Sequence, residues 1–422
     1  MPWSRACFFL GAALAVSCAG TRPEVRAALS GTLTELQQEI AKAERGGTLD
    51  EARLKELALA VAEREIAGAG GADGAEQVAV FRPCRSELEA ALSERASRGD
   101  EPAAAATLLL FEAGRRDADD LVKRYREADS AAFRALAARA TLSGAHAELR
   151  RRYLTDPDER VRRAALEAAV KAPVAPHLPD LLEAARLDPS PLNRSRATLA
   201  VGRIGNEPAV LGLMDLYAGG DEQGQLAVLD AWSEPGAFRR GGERELSRAL
   251  GRAGLVSVSA ATLLLRSRDS RGAAIAVLAR AIESGSDDER RLALMAAPLS
   301  DASVKAALEK AAQSPSPDVT PLVLAKLSEL PGRGVSARAQ LEQLAAEKSD
   351  AGLEASYALV ALGSLRAIAR VEQELSHPSS ARRLRAALTL AGLGKRRGLA
   401  LRLADSDPFV RASLACRLVG AR

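Results

Sequence analysis

A short phrase recurs in register along this chain: an Asp, an Arg six residues later, then a helix of small apolar residues. It reads Asp156-Pro157-Asp158-Glu159-Arg160-Val161-Arg162, then Asp188-Pro189 to Arg194, then Asp405-Ser406-Asp407-Pro408-Phe409-Val410-Arg411. A phrase repeating every thirty-odd residues predicts stacked helix pairs, each too small to bury its apolar face alone. Counting the residue that opens each second helix gives Asp100, Asp129, Asp156, Asp188, Asp221, Gly254, Asp287, Asp318, Asp350, Ser379 and Asp407, at intervals of 27 to 33 residues. Asp at such an opening is read as a cap for the free amides of the first turn, with Pro tolerated beside it. The Arg lies further into the helix, placed to reach carboxylates of the adjacent repeat.

Composition agrees with close helix packing. Apolar residues make up 47% of the chain but aromatic residues only 3%, so Ala and Leu carry the core. That balance suits helices and argues against a sheet protein rich in Val, Tyr and Phe. The predicted class is all-α, an α-solenoid of stacked antiparallel helix pairs.

The first residues read differently. A positive charge at Arg5 precedes the apolar run Ala6–Val16, too short to span a bilayer but right for the core of an export signal. The run ends at Ala15-Val16-Ser17-Cys18, which resembles the lipobox of bacterial lipoproteins, with Ala15 standing where that family usually has Leu. The resemblance implies cleavage before Cys18 and diacylation of its thiol. With Ala19 rather than Asp following, it implies an outer-membrane anchor facing the periplasm. Ordinary signal cleavage after Ala19 is the alternative.

The expected organisation is therefore a signal peptide over 1–18, a helix pair over 19–67, a Gly-rich linker over 68–79 and the repeats over 80–422. In the pair, one helix is predicted over Glu24–Arg45. A second is predicted to open on a capping box of Thr48 with Glu51. Residues from about Arg85 to Arg422 resemble HEAT repeats, including the shorter HEAT-like form seen in phycobilin lyases. The match is strongest over Asp156–Val170, Asp188–Gly205, Ser376–Gly394 and Asp405–Val419. Gly254–Leu265 lacks the Asp, and Asp318–Pro321 lacks the Arg. The resemblance implies a superhelix with a binding role and supplies no catalytic residue set.

No constellation of catalytic or metal-ligating residues stands out. His146, His177 and His377 are isolated, no close Cys or His pairs occur, and neither a phosphate loop nor a nucleophile elbow is present. No cofactor and no metal are expected. Cys84 and Cys416 lie near opposite ends of the chain; in an extended stack they are expected to be buried thiols too far apart to bridge. From Leu365 onward twelve basic residues face four acidic ones. Lys395, Arg396 and Arg397 sit at a helix–helix turn as the candidate contact for an anionic partner. Tyr217, Trp232 and Phe238 fall in one middle repeat, where they are read as core filling, with Trp232 and Tyr217 as candidate partner anchors.

The expectation that follows is a non-catalytic, protein-binding scaffold or assembly factor of the cell envelope, monomeric, held to the membrane by its lipid and binding no nucleic acid. Two alternatives stand beside it: an anion-binding module using the basic C-terminal repeats, and a HEAT-like lyase-type enzyme subunit, for which Cys84 and Cys416 are the only thiols on offer.

Overall fold

The computed structural model describes residues 22–71, 73–313, 316–395 and 398–420. Among them there are helices and turns and no strand. The repeat spacing locates the helices well. Helices start at Glu101, Ala131, Glu159, Pro191, Glu222, Leu255, Asp287, Thr320, Asp350, Ser380 and Pro408, each within three residues of the opening read from sequence. The fold is an α-solenoid in which successive helix pairs stack. The chain forms two compact units, one of residues 118–368 and one joining the segment up to Asp117 with residues 369–422.

In the 118–368 unit, the second helices of successive repeats pack side by side. Glu159–Lys171 lies between Ala131–Ala140 and Pro191–Ile204, which in turn packs on Glu222–Ser233. Ala makes the close approach possible. Ala165, Ala168, Ala197, Ala200 and Ala231 are all fully buried on the facing surfaces. At Gly202 the approach is closer still: a Cβ there would lie 2.4 Å from the Ala231 carbonyl oxygen. Gly205 then ends this helix in the left-handed conformation, φ 57°, which Gly adopts without steric penalty.

The other unit holds both ends of the described chain. Its N-terminal segment has three helices, Pro23–Ser30, Leu33–Arg45 and Glu51–Gly68, rather than the expected pair. The predicted Glu24–Arg45 helix breaks at Gly31 because Thr32 forms a capping box: its hydroxyl accepts the Glu35 amide and the Glu35 carboxylate accepts the Thr32 amide. Thr48 does not make the box assigned to it. Its hydroxyl donates to the Ala43 carbonyl at 3.1 Å, and Asp50 caps the next helix by accepting the Arg53 amide at 2.8 Å.

The Gly-rich stretch is also more structured than a linker. A short helix spans Gly74–Ala79 and packs on Glu101–Glu112. Before it, the Ala69 carbonyl accepts from the buried Arg95 guanidinium, which also grips Asp100 at 2.7 and 2.8 Å.

The last helix, Pro408–Val419, packs lengthwise on Glu51–Gly68. Beside this contact Cys84 and Cys416 form a disulfide, with Cα atoms 5.5 Å apart and a sequence separation of 332. The expectation of two distant free thiols was wrong. It assumed an extended stack, whereas here the last described helix packs on N-terminal elements, among them Glu51–Gly68 and the turn Arg82–Leu88 that carries Cys84.

Candidate functional site

Among the described residues, the recurring phrase builds one local device five times. In each copy an Arg sits in the second turn of a helix and its Nη1 donates to two carbonyls of the loop before that helix. Arg134 donates to Ala128 and Asp129, Arg162 to Asp156 and Pro157, and Arg194 to Asp188 and Pro189. Arg383 donates to His377 and Pro378, and Arg411 to Asp405 and Ser406. Held in this way, the guanidinium presents its Nε and Nη2 edge to the next element as a planar fork, the geometry that suits a carboxylate.

In four copies a carboxylate fills the fork. Arg134 meets Asp156 at 3.1 and 3.2 Å, and Arg162 meets Asp188 at 2.7 and 3.3 Å. Arg383 meets Asp405 at 2.8 and 2.7 Å, and Arg411 meets Glu65 at 2.7 and 3.0 Å. Burial of Asp188 and Asp405 works to raise their pKa, but the Arg hydrogen bond, a backbone amide and the Arg charge overcome it. Both end up below the usual carboxylate range. The same pairing raises the already high pKa of Arg162 and Arg383.

The Asp of the phrase is therefore not the helix cap it was read as. The cap lies two residues further on, where Asp158 and Asp407 accept amides of the first turn. Asp156, Asp188 and Asp405 each accept the amide of that cap position, at 2.9, 2.9 and 3.0 Å, which shapes the turn. Each also takes the Arg fork of the preceding repeat, and Asp188 accepts Asn193 Nδ2 of the following helix at 3.3 Å as well. His377 occupies the same turn position and does half of this work: its Nδ1 accepts the Ser379 amide at 3.0 Å. The corresponding place in the preceding repeat's helix, Asp350–Ala361, holds Leu353 rather than an Arg.

The fifth fork is open. Counting back from the helix Glu222–Ser233, whose cap is Asp221, the position that should supply the carboxylate is Gly219. Among the described residues, the Nε and Nη2 of Arg194 have no hydrogen-bond partner; its bonds run from Nη1. Arg194 borders a cavity of about 450 Å³ lined also by Ser195, Thr198, Asp215, Gly219 and Gln223, within the size range of small-ligand sites. Sequence reading marked Arg194 as part of the phrase. The missing Asp at 219 was the available signal for the cavity.

Trp232 is only 2% exposed and fills the core, so an anchor role would require it to leave that place. Tyr217 stacks on it at a tilt, ring centroids 5.0 Å apart, and is half-buried with Arg252 over its outer face. Lys395 is half-buried, whereas Arg396, Arg397 and Cys18 lie outside the described residues. Much of the C-terminal basic charge is already matched. Arg382 pairs with Glu374, Arg383 and Arg402 with Asp405, and Arg411 with Glu65.

The two thiols offered to the lyase-type reading are joined to each other in the disulfide. Among the described residues no group of His, Cys, Asp and Glu is arranged to hold a metal ion. No described helix is long and apolar enough to cross a membrane. His177 is buried; that burial, with Arg150 nearby, lowers its pKa from 6.5. His146 meets Asp119 at 2.8 Å.

No family model matches the chain, and no curated protein matches it. Among solved structures it is similar to a crystal structure of an engineered protein, with 17% sequence identity over 88% of this chain and 98% of that one, at a TM-score of 0.28.

Proposed function

We propose that this chain is an exported, lipid-anchored HEAT-repeat protein that binds a protein partner as an envelope scaffold or assembly factor and does not catalyse a reaction. The observation that carries the reading is the run of helix pairs tied by Arg–carboxylate forks, Arg134–Asp156, Arg162–Asp188 and Arg383–Asp405. Stacked repeats of this kind offer long continuous surfaces suited to partner binding. The Cys84–Cys416 bridge supports export, because disulfides persist in oxidising compartments and are rare in the cytosol.

The test is affinity capture of the full chain from native membranes, followed by reconstitution of the captured protein with purified chain. A stoichiometric complex on gel filtration is expected; failure of any captured protein to rebind in purified form would overturn the reading. Separately, radiolabelled palmitate should be incorporated and lost on Cys18→Ala. Retained label would remove the anchor from the proposal.

A further inference from the structure

From the vacant fork we infer that the cavity beside Arg194 is a binding site for the carboxylate group of a ligand. The inference does not depend on the protein-binding reading. It rests on a comparison internal to the molecule, in which the same side chain in the same setting occurs five times and takes a carboxylate in the other four.

Three observations carry it. First, the guanidinium is already fixed before any ligand arrives, since Nη1 holds the Asp188 and Pro189 carbonyls at 2.9 and 3.4 Å. A ligand therefore meets an ordered fork and does not have to immobilise a flexible side chain.

Second, Gly219, where the partner side chain is missing, lines the same cavity as Arg194. A Cβ placed on Gly219 would meet nothing within 4 Å. The adjacent Gly220 must stay Gly, because a Cβ there would approach the Leu216 carbonyl to 2.9 Å.

Third, the neighbouring groups leave the fork available. Asp221 also lines the cavity, but its carboxylate is engaged in capping, accepting the Gly224 amide at 2.8 Å. Asp215 and Arg186 also line the cavity and both are exposed, so this part of the wall carries one charge of each sign. The hydroxyls of Ser195 and Thr198 donate back to the Pro191 and Arg194 carbonyls, so their oxygens face the cavity as acceptors only. A carboxylate that also carries N–H groups, as at the end of a peptide, would match acceptors and fork together. A free dicarboxylate would use the fork alone.

The experiment is calorimetric titration of the full chain with three probes: acetyl-Ala-Ala-Ala with a free terminal carboxylate, the same peptide as its terminal amide, and glutarate. At least one acid is expected to bind at one site per chain, with the amide at least about tenfold weaker. Tighter binding of the peptide acid assigns the site to a chain terminus, and tighter binding of glutarate assigns it to a small free carboxylate.

Arg194→Gln should weaken the acid by about tenfold or more. Gly219→Asp should do the same while melting at or above the parent temperature, because the new side chain fills the fork from within. The inference is overturned if neither acid binds at millimolar concentration, if acid and amide bind alike, or if a folded Gly219→Asp protein binds as the parent does.

Discussion

Arg411 of the last helix grips Glu65 of an N-terminal helix through two hydrogen bonds, Nε to Oε1 at 2.7 Å and Nη2 to Oε2 at 3.0 Å, with both side chains about nine-tenths buried. The two residues are 346 positions apart. This is the inter-repeat fork used elsewhere, here joining the last repeat to the helix Glu51–Gly68, which precedes the repeats. Removing one partner leaves a buried charge unmatched, which costs about 3–5 kcal/mol. Arg411→Ala and Glu65→Ala should each lower the urea midpoint of this unit by a comparable amount. The double variant should cost much less than the two together, as a double-mutant cycle will show.

The Cys84–Cys416 bridge closes the same contact covalently. Peptide mapping without reductant should recover a linked pair of fragments containing both residues. Cys84→Ser or Cys416→Ser is expected to lower stability by about 2–5 kcal/mol, toward the upper end because the loop of 332 residues is long. Chemical denaturation with and without reductant measures the difference.

The occupied and vacant forks should respond differently to truncation. Arg162→Ala strands the buried Asp188 carboxylate and should cost about 3–5 kcal/mol. Arg194→Ala strands only two loop carbonyls and should cost about 1–2 kcal/mol. Equal losses in thermal or urea unfolding would contradict the assignment of Arg194 as unpaired.

Acid should act in two windows. Asp188 and Asp405 have folded pKa values held below the usual 3.8, so their stabilising effect is complete above that value and is lost as pH falls through their lower folded values. His177 is also lowered, from 6.5, by burial and by Arg150. The unfolded chain therefore takes up a proton below pH 6.5 that the folded chain refuses, and stability declines as pH drops from there toward the folded value. Melting temperature against pH should show both declines, and His177→Gln should flatten only the milder one.

Gly202 is required by a helix contact and not by its own backbone. Gly202→Ala would drive a methyl group into the Ala231 carbonyl and should cost about 1–3 kcal/mol by overpacking. Gly219→Ala, where the space is open, is the matched control and should be nearly neutral in the same melting assay.

How far the sequence foretold this structure depends on the range of the interaction. Helix starts were legible because period and capping residues are local. The pairing of Arg162 with the next repeat was legible because it spans a single repeat. The role of Asp156 was misread by two positions, since a turn-shaping Asp and a capping Asp look alike when Asp158 follows so closely. The bridge between Cys84 and Cys416 was missed for a different reason: nothing in periodicity says that an array's ends meet. Trp232 is the intermediate case. Its core role was the plainer reading, and its burial fits that role.

The distance between the two bridged cysteines bears on how the chain is made. At about 5–20 residues per second of synthesis, Cys84 precedes Cys416 out of the ribosome by 332 residues, or roughly 20–70 s. Through that interval the helix Glu51–Gly68 has no terminal helix to cover it, while the 118–368 repeats can stack as they emerge. The N-terminal segment is thus born before the repeats and matures after them. A chaperone or thiol oxidase acting on this protein would find its substrate there, and termination between Gly68 and Pro408 would leave that apolar surface bare.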